Sequence, residues 1–339
     1  MRAVVSALAR YNSWMNAAVR AAGAKLAAPD RHKNVGATFK SLHGTLNHIM
    51  VADRMWLARF VGRPVPTDPL DAILYTDEGE FWATRDALDA EIQSVADGRS
   101  DDAWAAILSV PRLSGRVLSR PAWLMALHML NHQTYHRGQA TTILMQNGVD
   151  PGPTDLPVMP GADAIASDRP FGDLAGRDVF SLLARYNAWS NATLYEQCAG
   201  LDDAARTRDL GAFFKSIHGT LGHILVGDRI WLARFRGQPV PMVGLGDVPY
   251  ARFDDLRQAR RDLDADVVAF AESLDDGWLA QPFSFVSAAY RATFTRATWL
   301  LLLHMFNHQT HHRGQATVMI SQLGLVPGET DLISTPGLD

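Results

Sequence analysis

The chain contains one sequence module twice, and this repetition constrains its fold more than any other feature. Three blocks recur in the same order, at offsets of 175, 175 and 176 residues. They are LARYNSWMN at 8–16 and LARYNAWSN at 183–191, FKSLHGTLNHIMVADRMWLARFVGRPVP at 39–66 and FKSIHGTLGHILVGDRIWLARFRGQPVP at 214–241, and NHQTYHRGQATTILMQNGVDPGPTDL at 131–156 and NHQTHHRGQATVMISQLGLVPGETDL at 307–332. Solenoid repeats run to about 20–50 residues, so this long period indicates two tandem domains.

Chain length agrees with this organisation, because 339 residues are more than one hydrophobic core usually holds. The stretch PVMPGADAIASDRPFGDLAG at 157–176 is rich in Pro, Gly and Asp and lacks helical periodicity, as is typical of a domain boundary. We therefore predict a first domain at 1–160, a linker at 161–175 and a second domain at 176–339.

Each copy shows four segments with the apolar spacing of a helix. The predicted helices are 2–22, 37–61, 78–97 and 121–147 in the first copy, and 177–199, 213–236, 252–274 and 297–323 in the second. Before the last helix, FSFVSAAYRATFT at 283–295 predicts a short β-hairpin or extended connection, with a weaker counterpart at 109–119. The predicted fold class is all-α, with two tandem four-helix bundles.

Histidines are the residues most suggestive of chemistry. Ten of the twelve form five pairs related by the repeat, and His32 and His311 are unpaired. The pairs are 43/218, 48/223, 128/304, 132/308 and 136/312.

Helix geometry limits which histidines can share a metal ion. Residues four apart lie on one helix face, so His132 can share an ion with either His136 or His128. His128 and His136 lie about 12 Å apart along the axis, too far for metal–nitrogen bonds of about 2.0–2.1 Å. A third ligand from the second helix is either His48 or His43, since these two are about 140° apart around that helix. The same alternatives apply to the second copy.

A three-histidine site leaves one coordination position open, which is typical of catalytic rather than structural metal sites. Two familiar templates are absent. HQTYH and HQTHH lack the glutamate of HExxH, and no Glu-x-x-His pair lies on these helices. Cys198 is the single cysteine and has no counterpart in the first copy, so a cysteine nucleophile is not indicated.

Other function classes are disfavoured by composition. The net charge of −4 and the absence of a Lys/Arg block argue against nucleic acid as a partner. The longest apolar run near the end, WLLLLHM at 299–305, is too short to span a membrane, and the first residues do not resemble a signal peptide. With a single cysteine, we expect a cytoplasmic location.

The runs SLHGTLNHIMVADRMWLARF and LHMLNHQTYHRGQATTIL, each present in both copies, resemble the DinB-like (damage-inducible) family of metal-binding four-helix bundles. The resemblance covers both copies nearly end to end. It implies that the ligands are a histidine of the second helix and the HxxxH of the fourth. Carried over, the first site is His48, His132 and His136, and the second is His223, His308 and His312.

The resemblance also implies a range of functions. Relatives include thiol-S-transferases and a thiol-dependent maleylpyruvate isomerase, in which the metal activates a low-molecular-weight thiol. We therefore expect about two divalent ions (Zn, Ni, Fe or Mn) per chain and a metal-dependent enzyme that transfers a small thiol, or water in a hydrolase, to a small-molecule electrophile. The alternative is a non-catalytic metal-binding stress-response protein. Because relatives dimerise, the tandem is expected to form an intramolecular pseudo-dimer, with or without further self-association.

Several residues near the histidines have both a functional and a structural interpretation. Beside the ligands, His128 and His304 are either hydrogen-bonded supports of the site or core residues. Arg137 and Arg313 are interpreted as structural ion pairs or helix contacts, with anion binding as the alternative. The remaining residues are interpreted as structural: Gly138 and Gly314 in close helix packing, Asp53 and Asp228 in bonds to Arg or Trp, and Trp14, Trp56, Trp123, Trp189, Trp231 and Trp299 in the core. For the tryptophans, lining the mouth of a pocket is the alternative.

Overall fold

Four long helices form the first half of the protein, as the periodicity predicts. The structure is a computed structural model that describes residues 1–111, 117–166, 170–241, 244, 246–287 and 289–338. The long helices are α1 (Arg2–Gly23), α3 (Leu42–Val61), α4 (Glu78–Gly98) and α6 (Ala122–Gln146), and two short helices are α2 (Ala28–His32) and α5 (Asp101–Ala105).

The second half repeats this plan. Its helices are α7 (Gly176–Ala199), α8 (Asp203–Thr207), α9 (Ile217–Phe235), α10 (Phe253–Glu272), α11 (Asp276–Leu279) and α12 (Thr298–Gln322). The predicted pair of all-α bundles is confirmed, whereas the four short helices α2, α5, α8 and α11 were not predicted. No helix among the described residues is long and apolar enough to cross a membrane.

A β-hairpin precedes the last helix of each copy, as predicted. In the first copy β1 (Ile107–Pro111) pairs antiparallel with β2 (Val117–Pro121), and in the second β3 (Pro282–Ser287) pairs with β4 (Ala292–Ala297). Residues 112–116 of the predicted weaker match at 109–119 lie outside the described residues.

The start of the second helix was predicted wrongly in both copies. Residues 37–41 are not helical; they form a turn in which Lys40 adopts a positive φ of 68°, and Ser41 is the N-cap of α3. The Ser41 hydroxyl accepts a hydrogen bond from the Gly44 amide, which satisfies one of the free donors at the helix start. Phe39 keeps the helical spacing of the apolar residues that follow it, so periodicity alone could not show that α3 begins only after Ser41. Lys215 and Ser216 repeat the arrangement before α9.

Helices α6 and α12 lie at the centre of the protein, and most of their residues are buried. A helix that is buried on all sides needs no polar face, which is why these two lack a clear amphipathic pattern. Each packs within its own bundle and also against the other. At their crossing, a Cβ atom added to Gly138 would lie 2.0 Å from the His311 carbonyl oxygen, and one added to Gly314 would lie 2.0 Å from that of Tyr135. The predicted role of these glycines in close helix packing is confirmed.

Short 3₁₀ turns follow the central helices and reach the opposite copy. The turn at Leu156–Val158 packs against α12, and the turn at Leu332–Ser334 packs against α6. The predicted linker at 161–175 includes a further 3₁₀ turn, Ala162–Ala164, and the buried Phe171. The domain limits drawn from the sequence stay predictions.

Candidate metal centres

Three histidines converge in each bundle. His48 lies on α3, and His132 and His136 lie one turn apart on α6. The Nε2 atoms of His48 and His132 are 3.2 Å apart, and one ring nitrogen from each of the three residues lies within 4.8 Å of the others. The second set repeats this arrangement with His223, His308 and His312.

Hydrogen bonds orient the rings so that their lone pairs face each other. His48 Nδ1 lies 2.7 Å from the Leu70 carbonyl oxygen, and His136 Nδ1 lies 2.8 Å from Gln139 Oε1. Both oxygens only accept hydrogen bonds, so each Nδ1 carries the proton and each Nε2 presents a lone pair. Burial lowers the pKa of His132 and His136 well below the usual value, and the neighbouring histidines lower it further for both. Neutral imidazoles with converging lone pairs are the form that binds metals.

The nitrogen separations suit a shared ion. Nitrogens bound at about 2.0–2.1 Å to one ion are separated by about 2.8–3.4 Å, from the octahedral angle at the short end to the tetrahedral angle at the long end. The observed Nε2 separations are 3.2 Å for His48 and His132, 3.1 Å for His223 and His308, and 3.1 Å for His308 and His312. The donor set therefore fits a divalent cation. His132 and His308 are partly exposed, whereas the other four histidines of the triads are buried.

A phenylalanine covers one ligand of each triad. Phe39 stacks on His48 with ring centroids 3.8 Å apart and meets His136 edge-on, and Phe214 does the same with His223 and His312. This role was not predicted, because Phe39 was assigned to the helix itself. Ser41, a preferred N-cap residue, is the sequence signal that would have placed Phe39 in the turn before the helix.

The remaining paired histidines lie outside the triads. His43 Nε2 lies 2.8 Å from the Tyr75 carbonyl oxygen, and His218 repeats this contact with Tyr250. His128 packs edge-on against Trp56 at a centroid distance of 5.1 Å, and its counterpart His304 packs against Trp231. The structure thus brings His48 and His136, rather than His43 and His128, together with His132. Spacing alone had left these choices open, and the role of the triads as metal ligands stays a prediction.

A buried charged network lies beside each triad. Arg85 pairs with Asp53 at 2.5 Å and with Asp89 at 2.7 Å, and Gln133 donates to Asp53 at 2.7 Å. Burial raises the pKa of Asp53, and Arg85 opposes this shift. The predicted structural role of Asp53 is confirmed, and Asp228 pairs with Arg260 in the same way.

The arginine after each HxxxH belongs to the same network. Arg137 is buried; it donates to Asn12 and, at 3.1 Å, to the Thr134 hydroxyl, and Arg313 repeats these bonds with Asn187 and Thr310. These contacts support the structural interpretation rather than anion binding.

The fold and the two sites define a class of protein: a tandem pair of four-helix bundles, each with a convergent three-histidine centre. The sequence profile described as DinB family matches residues 1–166 and again residues 175–338, so the chain belongs to the DinB family. Among curated proteins, Protein DinB of Bacillus subtilis (strain 168) is 24% identical over 155 residues, which are 44% of this chain and 88% of that protein. No solved structure gives a significant match.

Proposed function

We propose that each triad binds one divalent metal ion and that the protein is a metal-dependent enzyme that activates a small thiol, or water, for transfer to an electrophile. The observation that carries this proposal is the convergence of three imidazole nitrogens at one point in each bundle. Imidazole donors suit Zn, Ni and Fe, and we retain Mn as a further candidate. A small-molecule substrate and a cytoplasmic location are part of the proposal.

The chain's own residues would hold the ion and restrict access to it. The histidines would bind the ion through their ring nitrogens, and Phe39 covers one face of the His48 ring. A bound divalent ion supplies an open coordination position and lowers the pKa of a coordinated thiol or water. Burial raises the pKa of the Cys198 thiol to about 12, which disfavours it as a nucleophile. The reacting thiol is therefore proposed to come from a small molecule.

Metal stoichiometry is the first test. Elemental analysis of protein purified without chelator and reloaded should give about two ions per chain, by the ligand count of two triads. His132→Ala should remove one ion. His128→Gln should retain both, because His128 is outside the triad, whereas His136→Gln should lose one. No metal in the reloaded wild type would refute the proposal, and reversed results for the last two variants would assign the other pair on α6.

Reaction with thiols is the second test. Metal-loaded protein is incubated with a panel of small thiols and a reactive electrophile, and conjugate formation or hydrolysis is followed. The Cys198→Ser variant should stay active, whereas His132→Ala combined with His308→Ala should be inactive. Activity that follows Cys198 would refute the mechanism. Two bound ions without any reaction would favour the alternative, a non-catalytic metal-binding stress-response protein.

The contacts between α6 and α12 support the further proposal that the two copies form a pseudo-dimer within one chain. Asn131 and Thr310 form one hydrogen bond across this contact at 2.8 Å, and Thr134 and Asn307 form its counterpart, also at 2.8 Å. Such an interface uses the same patch of each copy, as a symmetric dimer does. Sedimentation of the purified chain would show whether it also self-associates.

A further inference from the structure

A hydrogen-bonded chain links the first triad to the second bundle. His136 Nδ1 lies 2.8 Å from Gln139 Oε1, and Gln139 Nε2 donates to the Thr317 hydroxyl of α12 at 3.2 Å. Thr317 in turn donates to the Gly314 carbonyl of its own helix at 2.8 Å. All members of this chain are buried. We name it the first relay: His136, Gln139 and Thr317.

The donors and acceptors of the first relay can be assigned from its far end. A carbonyl oxygen only accepts hydrogen bonds, so the Thr317 hydroxyl donates its single hydrogen to the Gly314 carbonyl. The Thr317 oxygen must then accept a hydrogen bond from Gln139. Gln139 therefore presents its NH₂ group to Thr317 and its oxygen to His136. His136 must then carry its proton on Nδ1, which leaves the Nε2 lone pair facing the triad. The second bundle thus selects the tautomer of a histidine in the first.

The reverse relay is present as well. His312 Nδ1 lies 2.7 Å from Gln315 Oε1, Gln315 Nε2 donates to the Thr141 hydroxyl at 3.2 Å, and Thr141 donates to the Gly138 carbonyl at 2.9 Å. We name it the second relay: His312, Gln315 and Thr141. The close crossing at Gly138 and Gly314 brings each glutamine within reach of the opposite threonine.

The exchange of Tyr135 for His311 in the repeated run makes the two relays unequal. His311 Nε2 lies 3.3 Å from Gln315 Nε2, so the Nδ1-protonated tautomer of His311 offers the second hydrogen of that amide an acceptor besides Thr141. The equivalent residue of the first copy is the buried Tyr135, which has a phenol in place of the imidazole. Gln315 is therefore held by two side chains, Thr141 and His311.

We propose that each bundle fixes the metal-binding tautomer of a histidine in the other bundle, through the first and second relays. Gln139, Thr317, Gln315 and Thr141 are positioning residues, and each relay acts on one triad only. The inference rests on the proposed function in taking His136 and His312 as ligands. The inference goes beyond the proposed function because each metal centre would depend on residues of the opposite copy.

The test uses proteins with one intact triad. In a chain carrying His223→Ala and His308→Ala, Zn²⁺ affinity of the first triad is measured against a competing chelator. Loss of an outer hydrogen-bond partner of a ligand typically costs about 10–100-fold in metal affinity, so Gln139→Leu should fall in this range and Thr317→Val at its lower end, about 10-fold. Thr141→Val, the matched control on the same interface, should leave this affinity unchanged, and Thr317→Ser should restore it.

The reciprocal protein carries His48→Ala and His132→Ala. There Thr141→Val should weaken Zn²⁺ binding and Thr317→Val should not. The loss should be smaller than in the first triad, because His311 still holds Gln315. If both valine variants weaken both triads equally, the threonines only stabilise the interface and the proposal is overturned.

A second readout separates this proposal from the proposed function. In metal-free protein, ¹⁵N chemical shifts of the imidazoles report the tautomer directly. Wild type should show His136 protonated on Nδ1, and Thr317→Val should shift part of the population to the Nε2 tautomer, while Thr141→Val should not. An unchanged His136 tautomer in Thr317→Val overturns the relay, whether or not Zn²⁺ binds. Absence of Zn²⁺ binding together with the expected tautomer shift would refute only the metal function.

Discussion

The two bundles are nearly identical at their centres and differ in the residues around them. The ring of Phe39 stacks on His48 at 3.8 Å, and that of Phe214 stacks on His223 at 3.8 Å. The buried Asp–Arg pair is 2.5 Å long in both copies. Close to the triads, however, Asn47 of the first copy corresponds to Gly222 of the second. One type of core therefore builds both centres, whereas the segments that cover them are held by different contacts.

The Asn47 side chain holds the segment from Leu70 to Tyr75, which orients the His48 ring. Its side-chain oxygen accepts from the Leu74 and Tyr75 amides at 2.9 and 3.3 Å, and this segment also contains Leu70, whose carbonyl accepts from His48. In the second copy a Cβ atom at Gly222 would lie 3.6 Å from Val248 Cα, so the backbone of the covering segment packs close to this position. The covering segments are therefore fixed by a side chain in one bundle and by direct backbone packing in the other.

The largest effect is expected where the copies are alike, in the buried ion pairs. Arg85→Met leaves Asp53 and Asp89 buried without their cation, and Arg260→Met does the same to Asp228 and Asp264. Removing one partner of a buried pair costs about 3–5 kcal/mol, so we expect losses of this size, equal in the two copies, by denaturant titration.

The exposed pair between Arg63 and Glu91 is the control for this prediction. Arg63→Met should change the free energy of unfolding by less than about 1 kcal/mol. A loss for Arg85→Met as small as that for Arg63→Met would show that the shared network does not stabilise the core. Clearly unequal losses for Arg85→Met and Arg260→Met would break the equivalence of the two centres.

A somewhat smaller effect is expected at the helix crossing. Gly138→Ala and Gly314→Ala each place a methyl group 2.0 Å from a backbone carbonyl oxygen, which forces α6 and α12 apart. Overpacking of this kind lowers the free energy of unfolding by about 1–3 kcal/mol. We expect a loss at the upper end of this range for both variants, measured by denaturant titration. Gly98→Ala is the control, since nothing lies within 4 Å of an added Cβ there. If Gly138→Ala is tolerated as well as Gly98→Ala, the close crossing is not required.

The sequence was sufficient for the bundle plan, because the repeat and the helical spacing are local properties of the chain. It also placed both hairpins, since the run at 283–295 alternates in the way that strands do. Spacing left two choices of HxxxH pair and two of third ligand, and the family resemblance selected the residues that the structure brings together. Long, periodic and repeated features were thus predictable.

Features that depend on contact between the copies were not predictable from periodicity. The bond from Gln139 to Thr317 joins residues 178 positions apart, and no local pattern reports it. The cover by Phe39 was missed for a different reason, since the apolar phase runs unbroken from the turn into α3. Only the N-cap Ser41 marks that boundary.

The third prediction tests the difference between the covering segments. Asn47→Ala leaves the Leu74 and Tyr75 amides without their acceptor, and we expect a loss of about 2 kcal/mol in the free energy of unfolding. Because this segment orients His48, metal affinity of the first triad should fall while that of the second is unchanged. Asn34→Ala, at an exposed turn, is the control and should have little effect on either quantity. An equal fall in affinity at both triads would contradict the assignment of Asn47 to one centre.

The smallest effect is expected at Ser190, which corresponds to the buried Met15 of the first copy. Ser190 is fully buried in α7, and its hydroxyl has no hydrogen-bond partner among the described residues. A buried hydroxyl that makes no hydrogen bond lowers stability, and serine is also a poorer helix former than alanine. Ser190→Ala should therefore raise the free energy of unfolding by about 1 kcal/mol.

Ser216→Ala provides the opposite control for this last prediction. The Ser216 hydroxyl accepts from the Gly219 amide at 3.0 Å as the N-cap of α9, so its removal should cost about 1 kcal/mol. The two serines lie in the same bundle, and the same denaturant titration measures both. A loss of stability for Ser190→Ala would mean that its hydroxyl is bonded in solution. The second bundle would then satisfy its interior with a polar contact where the first uses the methionine side chain.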